Sequence, residues 1–479
     1  MNSKFISNLF LIIFLNIIVK PFYVFGVDLS VQNRLGSETY GMYFSLYSLA
    51  LLFNVILDMG LNNYNTKNIA QNPQVLQKYL GKMLSIRVML FILYSMIVTS
   101  VGIILGYDWL RFEILFWLII NQFLASGLQF LRSNFSGLHL FKLDGLISIL
   151  DRLILIGLAA ALLWSGWFEY YFDIKYFIYA QTISYVIAFG IGILILFVKA
   201  RNLRLQIDKK ITVTILKRSF PYALLIILMM IYTRVDSVMI ERISGPEEAG
   251  FYAQSFRILD AFYMIGYLFV GILYPMTSRL LKQKGDFLDL VDQAYRLLIP
   301  GAFVIAVLSY FYADPILNFA YSSTGPNAGV TFFYLMAAFV GISIAFVFGT
   351  LLTANGSLRL LNYFAIGGLI LNIVLNSVFI PEKGAEGAAL ATLFTEALVA
   401  ILQMITVHQL FKAKMLYRAY LQTVLFVTSI SILFYMTSRL EISWVAIIFL
   451  NIALALLLYF VFGLIKIRDL KKILLKNGE

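Results

Sequence analysis

Ionisable residues lie inside long apolar runs of this chain, where few are expected. Arg257 is followed three residues later by Asp260, Arg234 two residues later by Asp236, and Arg152 stands beside Asp151; Lys20 and Glu396 complete the group. A fixed cation at such depth could meet phosphate or diphosphate oxygens. A carboxylate there could pair with a cation or carry a proton or sodium ion. Charges in a membrane interior are costly, and they mark candidate sites for that reason. Each also has a plainer use. Lys20 precedes Pro21, which should kink its helix, and could snorkel to the surface. Arg257 and Asp260 share a helix face and could form an internal pair. Arg234 and Asp236 could end a helix near an interface, and Arg152 could pair with a neighbouring helix. Asp58, within "LDMGLNNYNTKNIA", reads as an interface residue.

Other chemistry is excluded by what is missing. The chain has no cysteine and only two histidines, His139 and His408. That removes disulfides, a thiol nucleophile and a cysteine or histidine metal centre. No paired-carboxylate motif stands out, so no catalytic residue, metal or cofactor is expected. The stretch "GSETYGMY" (36–43) superficially resembles a phosphate loop, with Gly36 and Gly41 five apart. A Walker loop needs Lys and Ser or Thr after its second glycine; here Met42 and Tyr43 follow. With no ATP motif, transport would draw on a proton or sodium gradient or on the membrane potential, about 2.3 kcal/mol per charge per 100 mV.

The elements that must position these charges are membrane helices. Of 479 residues, 61% are hydrophobic and 13% charged, against about 25% charged in soluble domains. Apolar runs of membrane-spanning length recur throughout, without the alternation of a β-barrel. The pattern predicts an all-α polytopic membrane protein of about 14 transmembrane helices, or twelve where two segments merge: 5–30, 41–61, 79–105, 111–138, 143–166, 172–198, 218–243, 247–279, 290–312, 330–354, 358–380, 386–411, 416–438 and 442–465. Residues 313–329 are expected to form a loop. Lys and Arg concentrate in alternate connectors, notably 199–217, and in the tail, which predicts both termini in the cytoplasm. The net charge of +12 is then topological, and no nucleic-acid partner is expected.

The glycine stretch recurs as "GPEEAGFY" (245–252). Gly36, Glu38, Gly41 and Tyr43 match Gly245, Glu247, Gly250 and Tyr252 at a constant offset of 209 residues. Both read as hairpin turns, with Gly36 and Gly245 in a conformation that other residues resist. Ser37 is a candidate cap and Pro246 suits a first helical position. Six predicted crossings separate the copies, so the halves run in the same sense, as parallel repeats do. The organisation expected is a six-helix bundle (1–198), a basic cytoplasmic linker (199–217), a second six-helix bundle (218–411), and two further helices with a basic tail (412–479). The two pseudo-symmetric bundles would surround a central cavity. A third stretch, "NIVLNSVFIPEKGAEGAALATLFTE" (372–396), predicts a tight connection at Pro381–Gly387 and a small-residue packing face after it.

These stretches together, with "SFPYALLIILMMIYTRVDSVMIERISGPEEAGFYAQSFRI" and "LLTANGSLRLLNYFAIGGLILNIVLNSVFIPEKGAEGAALATLFTE", resemble the polysaccharide/oligosaccharide flippases. These are the O-antigen-type members of the multidrug/oligosaccharidyl-lipid/polysaccharide transporter superfamily. The resemblance spans essentially the whole chain. It implies a multi-pass protein of the bacterial cytoplasmic membrane that flips undecaprenyl-diphosphate-linked oligosaccharide from the inner to the outer leaflet. It also implies cavity cations for the diphosphate, for which Lys20, Arg257, Arg234 and Arg152 are the candidates. Asp236, Asp260 and Glu396 are the candidate charge partners or ion-coupling groups. The related lipid II flippases carry cavity cations on helices 1, 2 and 8; Lys20 and Arg257 match helices 1 and 8 in kind, while 41–61 carries none. Other polysaccharide-assembly membrane proteins are the expected protein partners. A multidrug or metabolite antiporter of the same superfamily is the alternative reading, and a membrane polysaccharide polymerase or ligase a further one.

Overall fold

The computed structural model describes residues 18–19, 21–62, 65–66, 69, 74–138, 140–165, 172–200, 209–283, 285–413 and 416–464. Lys20, most of the first predicted helix, residues 201–208 of the basic connector and the tail from 465 lie outside them. The described chain is helical. Ten of its helices are long and apolar enough to cross a membrane. It is a multi-pass membrane protein.

The helices form two compact units, residues 1–250 and 251–479. The first holds a π-helical segment Tyr23–Asp28, then α1 (Leu29–Leu52), a 3-10 turn Asn54–Leu57, α2 (Val75–Ile104), α3 (Trp109–Gly137), α4 (Phe141–Trp164), α5 (Ile174–Ala200) and α6 (Lys209–Ile243). Helix α7 (Pro246–Lys282) contains the boundary. The second unit continues with α8 (Phe287–Ala320), α9 (Ala328–Ala354), α10 (Leu358–Phe411), α11 (Leu416–Thr437) and α12 (Trp444–Val461).

Gly36 and Gly245 take the backbone conformation that their positions require. Gly36 interrupts α1 at φ 77, ψ 169, a region open only to glycine, and Gly245 has φ 98. The two glycine stretches also pack on one another within the first unit. A Cβ on Gly41 would fall 1.8 Å from the Pro246 carbonyl oxygen, and a Cβ on Gly250 would fall 1.9 Å from that of Ser37. Ser37 and Pro246 occupy matching positions of the two copies, so the contact is reciprocal, as a local two-fold relation demands. The Gln32 side chain adds a hydrogen bond to the Gly250 carbonyl at 3.0 Å. Ser37 makes no cap: its buried hydroxyl has no hydrogen-bond partner. The backbone approach at Gly250 takes the space around it.

Two other segments depart from the sequence reading. The run expected as a helix over 41–61 breaks after Leu52 into the 3-10 turn, and Met59 and Gly60 then take positive φ. The segment expected as a loop from 313 instead continues α8 to Ala320 across a kink at Tyr312 (φ −127, ψ 18). The kink restarts the helix, which puts Pro315 in a first turn, where the missing N–H costs nothing.

Helix α10 spans 54 residues but is non-helical at Gly384 (φ 51, ψ −124). A Cβ on Gly387 would lie 2.3 Å from the Phe379 carbonyl oxygen, so the chain folds tightly there, between the two predicted segments. Helices α11 and α12 pack on α8 through Phe426, Ile430, Phe434, Ala455 and Tyr459. Arg296 of α8 bonds Asp292 at 2.7 Å and Gln422 of α11, and Gln422 reaches the Phe462 carbonyl at 2.7 Å. The last two helices are therefore integral to the second unit.

Candidate functional site

Arg152 lies midway along α4, inside the apolar span Lys142–Trp164. Its guanidinium carbon stands 4.5 Å above the Tyr23 ring and 5.9 Å from that of Tyr185. Both distances fall within cation–π range. Asp151 offers a carboxylate oxygen 3.6 Å from Nε, close enough to balance charge but too long for a hydrogen bond. A quarter of the Arg152 side-chain surface stays accessible. A guanidinium supported by ring faces can offer in-plane N–H groups to the oxygens of a carboxylate or phosphate.

The placement of Tyr23 has a local cause. Pro21 just precedes it, and the helix runs as a π-helix from Tyr23 to Asp28 before returning to α-geometry, with the Leu29 N–H bonded to the Val24 carbonyl. Such single-turn π segments recur at functional sites. The segment packs on α4. At its other end Asp28, 2% exposed, accepts a 2.6 Å bond from Tyr40 Oη, across the break at Gly36.

The remaining predicted residues are placed as follows. In the first unit, Asp236 is 1% exposed and lies with half-buried Arg234 in the last third of α6. In the second unit, Arg257 Nη1 lies 3.7 Å from Asp260 Oδ2, with 13% and 20% of the side chains exposed. Arg257 is about 16 Å along α7 from its start, at 1.5 Å per residue. Glu396 is buried on α10, where α9 comes so close that a Cβ on Gly341 would meet its backbone at 2.8 Å. Lys20 lies outside the described residues.

A further buried charge was not singled out from the sequence. Arg87 of α2 is 4% exposed. It donates from Nη2 to Asp58 Oδ1 at 2.9 Å and Asn62 Oδ1 at 2.6 Å, and from Nη1 to Ser126 Oγ at 3.0 Å. It also bonds the Ser126 and Leu57 carbonyls at 3.2 and 3.5 Å and lies 4.5 Å over Phe130. Asp58 is thus a partner of this cation rather than simply an interface residue. Nearer the helix ends, Arg111 bonds Glu241 Oε1 through Nε and Nη2 at 3.0 and 2.9 Å. The available signal for Arg87 was an arginine several residues inside an apolar run.

Comparison with known proteins gives this arrangement its context. The family model described as polysaccharide biosynthesis protein matches residues 5–281. The chain belongs to that family. An uncharacterized membrane protein of Methanocaldococcus jannaschii, MJ1375, is 21% identical over 396 residues, covering 79% of this chain and 92% of that protein. Among solved structures, the lipid II flippase MurJ in an inward closed conformation is similar over 95% of this chain and 99% of its own, with 16% identity and a TM-score of 0.67. An inward-facing MATE family multidrug resistance transporter of the MOP superfamily is similar over 81% of this chain and 94% of its own, with 13% identity and a TM-score of 0.62. At these identities the structural likeness carries the fold alone, which is that of the MurJ and MATE proteins.

Proposed function

We propose that this family member is a flippase for a lipid-linked saccharide, undecaprenyl-diphosphate-linked oligosaccharide, moving its head from the inner to the outer leaflet of the bacterial cytoplasmic membrane by alternating access. The observation that carries the reading is Arg152, a guanidinium midway along an apolar span, stacked on tyrosine and still accessible. A saccharide diphosphate cannot cross hydrocarbon unaided, because each unpartnered hydroxyl costs about 2–7 kcal/mol and a charge far more. Arg152, Arg257, Arg234 and Lys20 would meet the diphosphate, and tyrosine faces such as Tyr23 and Tyr185 would take sugar rings. Asp236, Asp260 and Glu396 would balance charge or couple a proton or sodium ion. The family description and the fold shared with a lipid II flippase support this reading. The reciprocal Gly41–Gly250 contact supports two repeats, 1–198 and 218–411, with 412–479 added to the second; the Lys and Arg of alternate connectors support a cytoplasmic linker and cytoplasmic termini.

The fold is also shared with a MATE transporter, which favours an antiporter as the second reading. That activity would use the buried carboxylates rather than Arg152 to hold a cationic substrate. Proteoliposomes carrying a fluorescent diphosphate-linked oligosaccharide lipid separate the two. Losing one charge-assisted hydrogen bond costs about 1.5–3 kcal/mol, so Arg152→Ala should slow flipping by about tenfold or more, and Arg152→Lys should keep part of the rate. A wild-type rate in Arg152→Ala, with normal insertion, would sink the proposal.

A further inference from the structure

Asp151 precedes Arg152 in the middle of α4. Leu146 and Leu153, exposed at 58% and 46%, mark the open apolar face of that helix. At about 100° per residue, Asp151 lies roughly 160° around α4 from Leu153 and roughly 140° from Leu146. It is turned instead toward the rings around Arg152. Tyr185 of α5 interacts electrostatically with Asp151 as well as with Arg152, and Arg152 interacts with Tyr23 and with Tyr47 of α1. All five residues are half-buried. Asp151 keeps 13% of its side chain accessible and has no hydrogen bond among the described residues, Arg152 Nε being 3.6 Å away. Both carboxylate oxygens are acceptors.

Charge decides what such a carboxylate can receive. It would repel a diphosphate, and Arg152 beside it would repel a cation. The group that suits it is a neutral donor attached to the anion that Arg152 holds. Hydroxyls of a sugar next to a diphosphate are of that kind, and a hydrogen bond to an ionised acceptor is stronger than one between neutral groups. We infer that Asp151 selects for the saccharide, accepting hydrogen bonds from sugar hydroxyls while Arg152 holds the diphosphate. The phenol groups of Tyr47 and Tyr185 add donors and acceptors from α1 and α5. The inference rests on the flippase reading and assigns the neighbouring part of the same site.

Proteoliposomes with two tail-labelled lipids test it. One is the diphosphate-linked oligosaccharide lipid; the other is the methyl diphosphate of the same polyprenol, which keeps the charge and lacks the sugar. Losing a hydrogen bond to a charged group costs about tenfold or more, so Asp151→Ala should raise the half-saturating concentration of the oligosaccharide lipid by about that factor. The half-saturating concentration of the methyl diphosphate should not rise, because a repelling charge has been removed. Asp151→Asn keeps one acceptor oxygen and should show a smaller rise, which is the measurement to use if Asp151→Ala does not insert. Arg152→Ala should weaken both lipids. An equal rise for the two lipids, or no rise for the oligosaccharide lipid in an inserted variant, would overturn the role of Asp151 and leave the flippase standing. A wild type that moves neither lipid would overturn the flippase reading and this inference with it.

Discussion

Two arginines of the first unit, Arg87 and Arg152, both stand within apolar spans and are held in opposite ways. Arg87 is surrounded by acceptors: two side-chain oxygens on Nη2, a hydroxyl and two carbonyls on Nη1. Its cation and the Asp58 carboxylate neutralise one another across a helix break. Arg152 rests on the Tyr23 ring, with its nearest carboxylate 3.6 Å away and a quarter of its side chain accessible. A guanidinium with both terminal nitrogens occupied, as Nη1 and Nη2 of Arg87 are, serves the fold. One supported from its face, with its edge accessible, can exchange partners. Depth alone does not separate a structural charge from a binding one; the number of acceptors already in place does.

The sharpest way to break this contrast is to remove the better-bonded cation. Taking one partner from a fully buried ion pair leaves the other unpaired and costs about 3–5 kcal/mol, but Asp58 keeps 26% of its side chain accessible. Arg87→Met should therefore lower unfolding stability in mixed micelles by an amount at the lower end of that range. Arg87→Met combined with Asp58→Leu should recover part of it, because the stranded charge is gone as well. A stability loss below about 1 kcal/mol in the single variant would show that Arg87 is not a fastening of the α1 break.

An uncharged constraint in the same unit gives the next largest effect. Gly41 faces backbone, not a pliable side chain: the added Cβ of Gly41→Ala would sit 1.8 Å from the Pro246 oxygen. Overpacking of this kind costs about 1–3 kcal/mol, and the stretch of residues 36–41 would have to move off 246–250. Chemical denaturation of Gly41→Ala should show that loss with Arg87 intact, which would establish that close backbone crossing and buried charge hold the unit independently. Additive losses in Gly41→Ala with Arg87→Met are expected, and a strongly non-additive pair would mean that they fasten one element.

These cases also show what could be read in advance. The turns at Gly36 and Gly245 were legible because positive φ selects glycine locally, and the tight connection near Gly384 because Pro381 and the following glycines punctuate an apolar run. That the two turns pack on each other was not legible, since a 209-residue repeat states likeness and not contact. The break at Asn54–Leu57 was missed because its own residues, Asn-Val-Ile-Leu, include no glycine or proline to mark it. The extension of α8 through Pro315 was missed because proline reads as a stop unless the kink at Tyr312 is known. Arg152 was legible as a charge in an apolar run. Its tyrosine support was not, because it depends on the π-helical turn that orients Tyr23.

The smallest effect on stability is expected where the effect on transport is large. A cation–π contact contributes about 0.5–2 kcal/mol, and the loose Asp151 contact adds little for a side chain that remains partly accessible. Arg152→Ala should therefore lower unfolding stability by no more than about 2 kcal/mol, clearly less than Arg87→Met under the same conditions, while slowing flipping far more than that loss explains. Asp151 is the internal control. Its carboxylate lies near Arg152 without holding it, so Asp151→Asn should leave stability nearly unchanged and should not abolish flipping. If Arg152→Ala instead unfolds the unit as readily as Arg87→Met, the tyrosine stack is a fastening like the Asp58 cluster. The distinction between the two arginines would then disappear, and with it the reason for placing the diphosphate at Arg152.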